Sequence, residues 1–340
     1  MKGLGFGSKI MFVINSLIAF LLLVSYLLPY ISPKDFASLS VLSLGMPLLI
    51  LFNLIFFIYW LLRVKKQMVL SLIVLLLGWN HINAMYRFSS SSQIEDDANL
   101  SVMSYNVRFF NRFGWLPKET IKEDILEFIG NEEPDVLCLQ EYRTGDPISL
   151  KGYSNFNATP IKGVKGGQTI FSKFPIINSG SLEFPDTYNN AIFIDIVKQK
   201  DTIRVYTLHL QSSGIETDVE KLKNETSSHL FKQVGSTFKA QQDQVELFLA
   251  HKAKSHYKTI VTGDFNNTAY SYIYRKVKGE DLKDTFEEAG NGFGRTYDFK
   301  FFPMRIDFIL ADKGFTVNEF KTFDVKLSDH YPIKANLKLN

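Results

Sequence analysis

Residues 191–210 read AIFIDIVKQKDTIRVYTLHL, and this stretch decides how the fold is interpreted. Two runs rich in β-branched residues, 191–197 and 202–210, flank a short polar break. Such residues favour strands, and two strands separated by a short polar break are typical of a β-hairpin. A hairpin makes its two strands antiparallel neighbours, which argues against a doubly wound parallel sheet.

Further runs of the same kind occur on both sides of this hairpin, between residues 100 and 340. The other predicted strands are 101–107, 135–139, 169–172, 259–262, 306–310 and 333–339, and the predicted helices are 118–130 and 238–254. Strands and helices do not alternate strictly along the chain. We therefore expect an α/β (α+β) domain in which two mixed, largely antiparallel sheets pack face to face with helices outside.

The first 88 residues differ from the rest of the chain in charge. They contain seven basic residues and a single acid, Asp35, which leaves 31 of the 38 Lys and Arg and 34 of the 35 Asp and Glu to the remainder. The net charge of +3 therefore combines +6 in the first segment with −3 in the remainder. The positive excess belongs to a membrane-like segment and not to a surface for nucleic acid.

Two uncharged apolar runs in this segment, 10–31 and 39–62, are long enough to span a bilayer. A third, 68–86, is apolar up to Trp79 and then becomes polar. The sequence thus predicts about three transmembrane helices. A cleaved signal peptide is the alternative for the first run, but this run is longer than a usual signal sequence and a second apolar run follows almost at once.

The basic residues predict the orientation of these helices. Lys2 and Lys9 precede the first span and further basic residues fill loop 63–66, so both places belong on the cytoplasmic side. Three spans put everything after Arg87 outside the cytoplasm, whereas two spans would leave it inside. The polar residues 89–99 are predicted to be a linker between the membrane anchor, 1–88, and a catalytic domain, 100–340.

Cys138 is the one cysteine of the chain. A single cysteine excludes an intrachain disulfide and a zinc site made of several thiolates. Its neighbours Val136, Leu137 and Leu139 are apolar, so we expect it to be buried in the core.

Polar side chains follow several predicted strands at the point where each strand ends. They are Asn106, Arg108, Glu141, Arg143, His209, Asp264, Asn266, Asp307, Asp329 and His330. A single residue of this kind is more often part of a turn than of an active site. Together they fit hydrolysis of a phosphate ester, which needs carboxylates for a divalent cation, cationic and amide donors for the phosphoryl group, and imidazoles for proton transfer.

Seven strings that contain these residues resemble, in the same order, the motifs of the endonuclease/exonuclease/phosphatase superfamily. They are SYNVRFFN, DVLCLQE, GGQTIFSKFPI, TLHL, GDFN, RIDFIL and SDHYPI. The superfamily includes pancreatic-type deoxyribonucleases, abasic-site endonucleases, sphingomyelinases and inositol-polyphosphate phosphatases. The resemblance implies a four-layer α/β sandwich over residues 100–340.

The resemblance also implies a metal site and a phosphate site. Glu141 would be the principal ligand of Mg²⁺, or of Mn²⁺, with Asn106 beside it and Asp329 as a further carboxylate on the metal side. Arg108 and Arg143 resemble arginines that touch backbone phosphate in the deoxyribonuclease branch. Each arginine could instead pair with a neighbouring acid.

The remaining motif residues are implied to carry the chemistry. Asp264 and Asn266 would position the attacking water or a second cation and bond a phosphate oxygen. His330, held by Asp307, would be the general base or a phosphate-binding imidazole. His209 would contact the phosphate or protonate the leaving oxygen.

The sequence leaves three functions open. The first is a membrane-anchored, Mg²⁺-dependent phosphodiesterase that acts on lipid headgroups or other envelope phosphodiesters, with the bilayer as partner. The second is a membrane-anchored nuclease for DNA or RNA, and the third is an inactive binding domain, although no motif acid or histidine is missing. The polar stretch 211–240 is expected to be a loop that either rims the cleft or is solvated. No protein partner can be inferred.

Overall fold

The computed structural model describes residues 4–88, 99–159, 166–214, 226–300 and 302–340. Twelve strands lie within these ranges: β1 (Asn99–Asn106), β2 (Val136–Arg143), β3 (Ser154–Ala158), β4 (Gly166–Ser172), β5 (Ile176–Ser181), β6 (Asn190–Lys198), β7 (Asp201–His209), β8 (Lys258–Asp264), β9 (Leu282–Asp284), β10 (Asp307–Asp312), β11 (Phe315–Thr322) and β12 (Ile333–Leu339). The described helices of the same part of the chain are α6 (Ile121–Glu132), α7 (Ser227–Lys252), α8 (Tyr272–Lys278) and α9 (Thr285–Ala289).

The strands form two six-stranded sheets. The first has the order β11-β12-β1-β2-β4-β3, and the second has the order β5-β6-β7-β8-β10-β9. The pairs β1/β2 and β7/β8 are parallel, and the other pairs of described strands are antiparallel. The hairpin at 191–210 is β6 and β7, with Asn190 opposite His209. The prediction of two mixed sheets is confirmed.

The two sheets pack face to face through aliphatic side chains. Val102 and Cys138 of the first sheet and Ile194 and Ile260 of the second belong to this fully buried layer. The expectation that Cys138 lies in the core is confirmed. Helix α6 covers the outer face of the first sheet, and α7 and α8 cover the outer face of the second, which gives four layers.

Four strands and two short helices were not predicted from the sequence. Strands β3 and β5 lie at sheet edges and read SNFNA and IINSGS, so their polar residues hide the strand pattern. The predicted loop over 211–240 was wrong for its second half, because α7 begins at Ser227. The signal for that helical turn was the apolar spacing of Leu230, Val234 and Phe238. Residues 215–225 lie outside the described residues, as does 89–98 of the predicted linker.

The N-terminal part consists of α1 (Phe6–Ser25), α2 (Pro33–Val41), α3 (Met46–Leu62), α4 (Met68–Leu77) and α5 (Trp79–Met85). Of the described residues, Phe6–Tyr30 and Pro33–Leu62 form two helical runs that are long and apolar enough to cross a membrane. Helices α4 and α5 pass the same test only as a pair, and they meet at an angle of 74°.

The predicted third span over 68–86 is bent between α4 and α5, where Tyr26 packs against the bend. The Tyr26 hydroxyl donates to the Val74 carbonyl oxygen at 3.0 Å. A Cβ at Gly78 would lie 2.0 Å from this hydroxyl, so a larger residue there would have to displace the Tyr26 ring. A side chain inserted beside the helix in this way is a common cause of a sharp bend.

Buried polar side chains join the three apolar segments. Asn15 donates from its amide nitrogen to the Ser71 hydroxyl at 2.7 Å and accepts from the Trp60 indole N–H at 3.0 Å. Interhelical hydrogen bonds of this kind stabilise helix packing where water is absent. The Asn15 side chain therefore ties α1, α3 and α4 into one bundle.

One end of this bundle docks on the catalytic layers. The Gln242 side-chain oxygen on α7 accepts from the Ser32 hydroxyl at 3.1 Å and from the Lys34 backbone N–H at 3.0 Å. The Lys34 ammonium lies 2.7 Å from Asp243 and 2.6 Å from Glu246. Helix α2 thus packs along α7.

A second contact at the same end involves the chain after the third apolar segment. The Arg305 guanidinium donates to the Ala84 carbonyl oxygen at 3.2 Å, and Arg87 forms a β-bridge with Gly292. At the opposite end of the bundle, the start of α1 around Phe6 lies beside Arg63. The catalytic layers and loop 63–66 are therefore at opposite ends of the apolar bundle.

Candidate active site

The predicted site residues meet where two pairs of parallel strands end. In the first sheet Asn106 lies opposite Gln140, directly before Glu141. In the second sheet His209 lies opposite Asp264, and Asp264 in turn lies opposite Asp307. Since the two sheets pack face to face, these carboxyl ends bring motifs far apart in sequence to one place.

Gly263 allows β7 and β8 to come close at this place. Its φ is 123°, and a Cβ there would lie 2.0 Å from the Leu208 carbonyl oxygen. Neither the conformation nor the space suits another residue. The glycine before Asp264 therefore sets the position of that carboxylate beside His209.

Asn106 links the acids of the two sheets. Its amide nitrogen donates to Glu141 at 3.2 Å and to Asp264 at 3.1 Å, while its amide oxygen accepts from the Arg108 backbone N–H at 3.0 Å. In this orientation Asn106 presents a donor to both carboxylates. Desolvation raises the pKa of the Glu141 carboxyl above its usual range.

His330 lies between two aspartates. Its Nδ1–H donates to Asp307 at 2.9 Å, and its Nε2 lies 3.6 Å from Asp264. The Tyr297 ring covers the imidazole, with the ring centroids 4.9 Å apart. Burial alone lowers the pKa of His330, but the charges of Asp307 and Asp264 outweigh it and raise the pKa to about 10.

Asp264 is almost completely buried, and burial raises its pKa to about 7 although the charge of His330 opposes the shift. The backbone N–H of Asn266 donates to Asp264 at 2.8 Å, and the Asn266 amide nitrogen donates to the Leu210 carbonyl oxygen at 2.9 Å. Asn266 thus holds one oxygen of Asp264. The other oxygen faces Asn106 and His330, and it is poised to gain or lose a proton near neutral pH.

His209 completes the centre as a neutral imidazole. Its Nε2 lies 3.8 Å from Glu141 and 3.9 Å from Asp264. Burial, helped by the charge of His330, lowers the pKa of His209 to about 3. At neutral pH this ring carries one N–H and no net charge.

Arg108 and Asp329 line the mouth of the site. The guanidinium of Arg108 lies 2.8 Å from Asp329 and 4.1 Å from the centre of the Trp115 ring. Residues 108–111 all have positive φ between 42° and 57°, a left-handed turn that non-glycine residues rarely adopt. This strained turn directly follows β1 and carries Arg108 and Phe109 into the cleft.

Arg143 is not brought to the site. It lies 3.5 Å from Asp146 and does not belong to the described residues that line the cleft. A bulge in β2 between Leu139 and Tyr142 turns Glu141 toward the site, with φ at 48°, and Arg143 away from it. The expected phosphate contact of Arg143 is replaced by the alternative, an ion pair with a neighbouring acid.

The convergent residues open into a cavity of about 1030 Å³. Its polar part is lined by Glu141, Asp264, Asn266, Asp329 and His330. Pockets of this size with a few convergent polar groups and shifted pKa values are typical of active sites.

The donor set fits a divalent cation. The side chains of Asp264, Asp307 and His330 come within 4.8 Å of one another, and of these the two carboxylates can hold a cation while His330 is protonated. Asp307 Oδ1 is buried and has no hydrogen-bond partner among the described residues. Carboxylate oxygens are the preferred ligands of Mg²⁺, and Glu141 and Asp329 bring two more to the same cavity.

A family model described as Endonuclease/Exonuclease/phosphatase family matches residues 103–330. The chain belongs to this endonuclease/exonuclease/phosphatase family. It is therefore a phosphoester hydrolase of a family whose enzymes depend on a divalent metal, and the resemblance found in the sequence is confirmed. A second family model, described as a domain of unknown function, matches residues 8–85. No curated protein matches the chain.

Solved structures of the family share the fold. The mannosyl-6-phosphatase Bt3783 of Bacteroides thetaiotaomicron is 20% identical with a TM-score of 0.54, over 70% of this chain and 99% of that chain. The human Nocturnin catalytic domain with bound sulfate is 18% identical with a TM-score of 0.54, over 71% and 94%. TDP2 of D. rerio in complex with a single-stranded DNA product is 17% identical with a TM-score of 0.51, over 71% and 100%.

Two aromatic residues that line the active site were not predicted from the sequence. The Arg108 guanidinium lies over the Trp115 ring, and the Tyr297 ring packs on His330 at a tilt of 59°. Trp115 could have been suspected because it lies close in sequence to the SYNVRFFN string. Tyr297 lies in none of the seven family strings, so nothing in the sequence pointed to its role. Thr296, whose hydroxyl accepts from the Asp307 backbone N–H at 3.1 Å, carried no signal either.

Proposed function

We propose that this protein is a membrane-anchored, Mg²⁺-dependent phosphodiesterase that acts on lipid headgroups or other envelope phosphodiesters. The observation that carries the proposal is the docking of the apolar bundle on the catalytic layers. Lys34 of the bundle forms ion pairs with acids of α7, and Arg305 of the catalytic layers donates to the Ala84 carbonyl oxygen of the bundle. Arg305 lies two residues before Asp307, so the membrane segment supports the active site directly. The proposed anchor is 1–88, the linker 89–99 and the catalytic domain 100–340.

In the proposed reaction, Glu141 and Asp329 would hold a divalent cation, and such a cation would supply charge withdrawal from the phosphoryl oxygens. Asn106 fixes the Glu141 carboxylate. Asp264 accepts a proton from the attacking water, because its pKa of about 7 matches this task. The water oxygen bonds to phosphorus as the bond from phosphorus to the leaving oxygen breaks, and the leaving alcohol then takes up the proton that Asp264 accepted.

The histidines have different tasks in this scheme. Protonated His330 donates to a phosphate oxygen, and Asp307 keeps the ring oriented and charged. Of the two roles that the sequence left open for His330, the geometry thus favours the phosphate-binding imidazole. Neutral His209 donates to the phosphate from the opposite side.

We further propose that the apolar bundle crosses the membrane three times and that the catalytic domain is extracytoplasmic. Support comes from the position of Arg63 beside the start of α1, at the end of the bundle opposite to the catalytic layers. Basic residues at that end favour the cytoplasmic side.

The test of the function uses the full-length protein in detergent, with Mg²⁺ or with chelator. We expect Mg²⁺-dependent release of headgroups from phospholipid micelles and a loss of about 100-fold or more in Glu141→Gln. Glu123→Gln, an exposed acid on α6, is the matched control and should retain full activity. Cleavage of plasmid or single-stranded DNA with no lipid hydrolysis would establish the nuclease alternative, and substrate binding with no turnover would establish the binding domain.

A further inference from the structure

We propose that the cleft has an apolar arm that binds the hydrocarbon chain of a long-chain phospholipid, so that the enzyme draws its substrate from the bilayer. This inference rests on the proposed function and names the substrate class of the same site.

The cavity runs from the catalytic residues to the membrane segment. The wall near Glu141 and His330 is polar, whereas Leu44, Pro47 and Leu48 form a wall at the start of α3. Leu44 and Leu48 remain 37% and 48% exposed. Apolar side chains left uncovered inside a cleft, and not on the outer face of a bundle, favour an apolar ligand.

The opposite wall of this arm is also apolar. It is formed by Ala84 and Met85 at the end of α5, together with Phe238 of α7 and Phe293. Two of the apolar segments and the catalytic layers therefore contribute side chains to one continuous cavity. A volume of about 1030 Å³ is far more than a phosphodiester group alone occupies, and it leaves space for an attached chain.

The charge along the cleft matches an amphipathic molecule. Arg108 and His330 lie at its polar end, where a phosphate would be bound, although Arg108 also pairs with Asp329. Leu44, Pro47, Leu48, Ala84 and Met85 of the arm carry no charge, and the charge of Arg305, which lines the cleft beside Ala84, is paired with Asp284. A phospholipid has the same order of parts, with an anionic phosphate followed by hydrocarbon.

Aromatic side chains lie around the cleft, as expected of an opening close to a membrane surface. Phe113 and Trp115 are exposed with their ring centroids 5.1 Å apart, and exposed Phe293 packs on Tyr86 at 4.8 Å. Exposed aromatic residues next to spanning helices are typical of the membrane interface. Since Leu44–Leu48 mark the domain-side end of α3, a lipid can pass from the bilayer into the arm without leaving an apolar surface.

The first test narrows the arm. In the full-length protein, Leu48→Trp should raise the KM for dioleoyl phosphatidylglycerol in mixed micelles about tenfold, since each CH₂ excluded from an apolar site lowers affinity about fourfold. Hydrolysis of the water-soluble bis(p-nitrophenyl) phosphate should not change. Leu51→Trp, on the same helix but outside the described lining of the cleft, is the matched control and should leave both substrates unaffected. An equal loss on both substrates in Leu48→Trp, or no loss on the lipid, would overturn the proposal.

The second test does not depend on turnover. Phosphatidylglycerol with a photoreactive diazirine in its acyl chain is incubated with the wild-type protein in chelator, irradiated, and the cross-links are mapped by mass spectrometry. We expect cross-links in residues 44–48 and at Phe293 that decrease in Leu48→Trp. Cross-links confined to the lipid-facing side of α1, around Leu17 and Phe20, would contradict the arm. Cross-links in the arm of a protein that hydrolyses no phosphoester would reject the proposed function and retain the lipid site.

Discussion

At the residue scale, burial sets the protonation states of the acids and the imidazole in the active site. Asp264, Asp307 and His330 are all buried, and two carboxylates surround one imidazole. A buried carboxylate prefers to be neutral, whereas a buried imidazole between two acids prefers to be charged. The resting centre therefore holds a positively charged donor beside an acid that titrates near neutral pH.

This arrangement predicts a bell-shaped pH profile. Above a pH of about 7 Asp264 is deprotonated and able to accept a proton, so kcat/KM should rise with pH through that value. Above about 10 His330 loses the proton that binds phosphate, so kcat/KM should fall. Asp307→Asn removes a charge that raises the pKa of both His330 and Asp264, and should therefore move the falling and the rising limb to lower pH. A rising limb that survives unchanged in Asp264→Asn would show that another group is the base.

At the element scale, two parallel strand pairs carry most of the site, and their contact depends on Gly263. A Cβ at this position meets the Leu208 carbonyl oxygen and requires a conformation that alanine avoids. We expect Gly263→Ala to lower the free energy of unfolding by about 3 kcal/mol or more and to reduce activity at the same time.

The matched control for this change is Gly130→Ala on α6. A Cβ at Gly130 meets nothing within 4 Å, and alanine favours a helix. The free energy of unfolding of this variant should therefore rise by about 0.5–1 kcal/mol. The measurement is the thermal midpoint of the full-length protein, followed by tryptophan fluorescence. Equal midpoints for Gly263→Ala and the wild type would show that β7 and β8 have room to separate.

The same elements show how far the sequence could predict this molecule. The strands that carry Asn106, Glu141 and Asp264 were predictable, because short buried apolar runs precede polar residues there. Edge strands such as β3 were not, since polar residues conceal them. The place of Arg143 depends on a bulge, and a bulge leaves no mark in a hydrophobic pattern.

At the scale of the whole molecule, the proposed extracytoplasmic side of the catalytic domain rests on the end of the bundle on which this domain docks. Cys138 is buried, so single cysteines introduced at Lys66 and at Asn155, both exposed, give two reporters. We expect an impermeant maleimide to label position 155 in intact cells and position 66 only after lysis. The reverse pattern would place the catalytic domain in the cytoplasm.

The docking of α2 on α7 had no sequence signal. It depends on the close approach of Gly235 to Ala37, because a Cβ at Gly235 would lie 3.3 Å from the Ala37 Cβ. It also depends on Gln242, a polar residue that the sequence alone would place in solvent. Contacts between distant segments are settled by tertiary packing, which local patterns do not encode. The apolar runs themselves were predictable from length and composition.

Tyr270, four residues after Asn266, is buried among Leu22, Met46 and Ile50 of the helical bundle. Removing the residues before β1 would expose the Tyr270 ring to water. It would leave an apolar surface next to the loop that orients Asp264. A protein truncated in this way for crystallisation or screening would then self-associate through this surface. Its measured activity would be lower than that of the full-length protein, because the loop that orients Asp264 has lost its support.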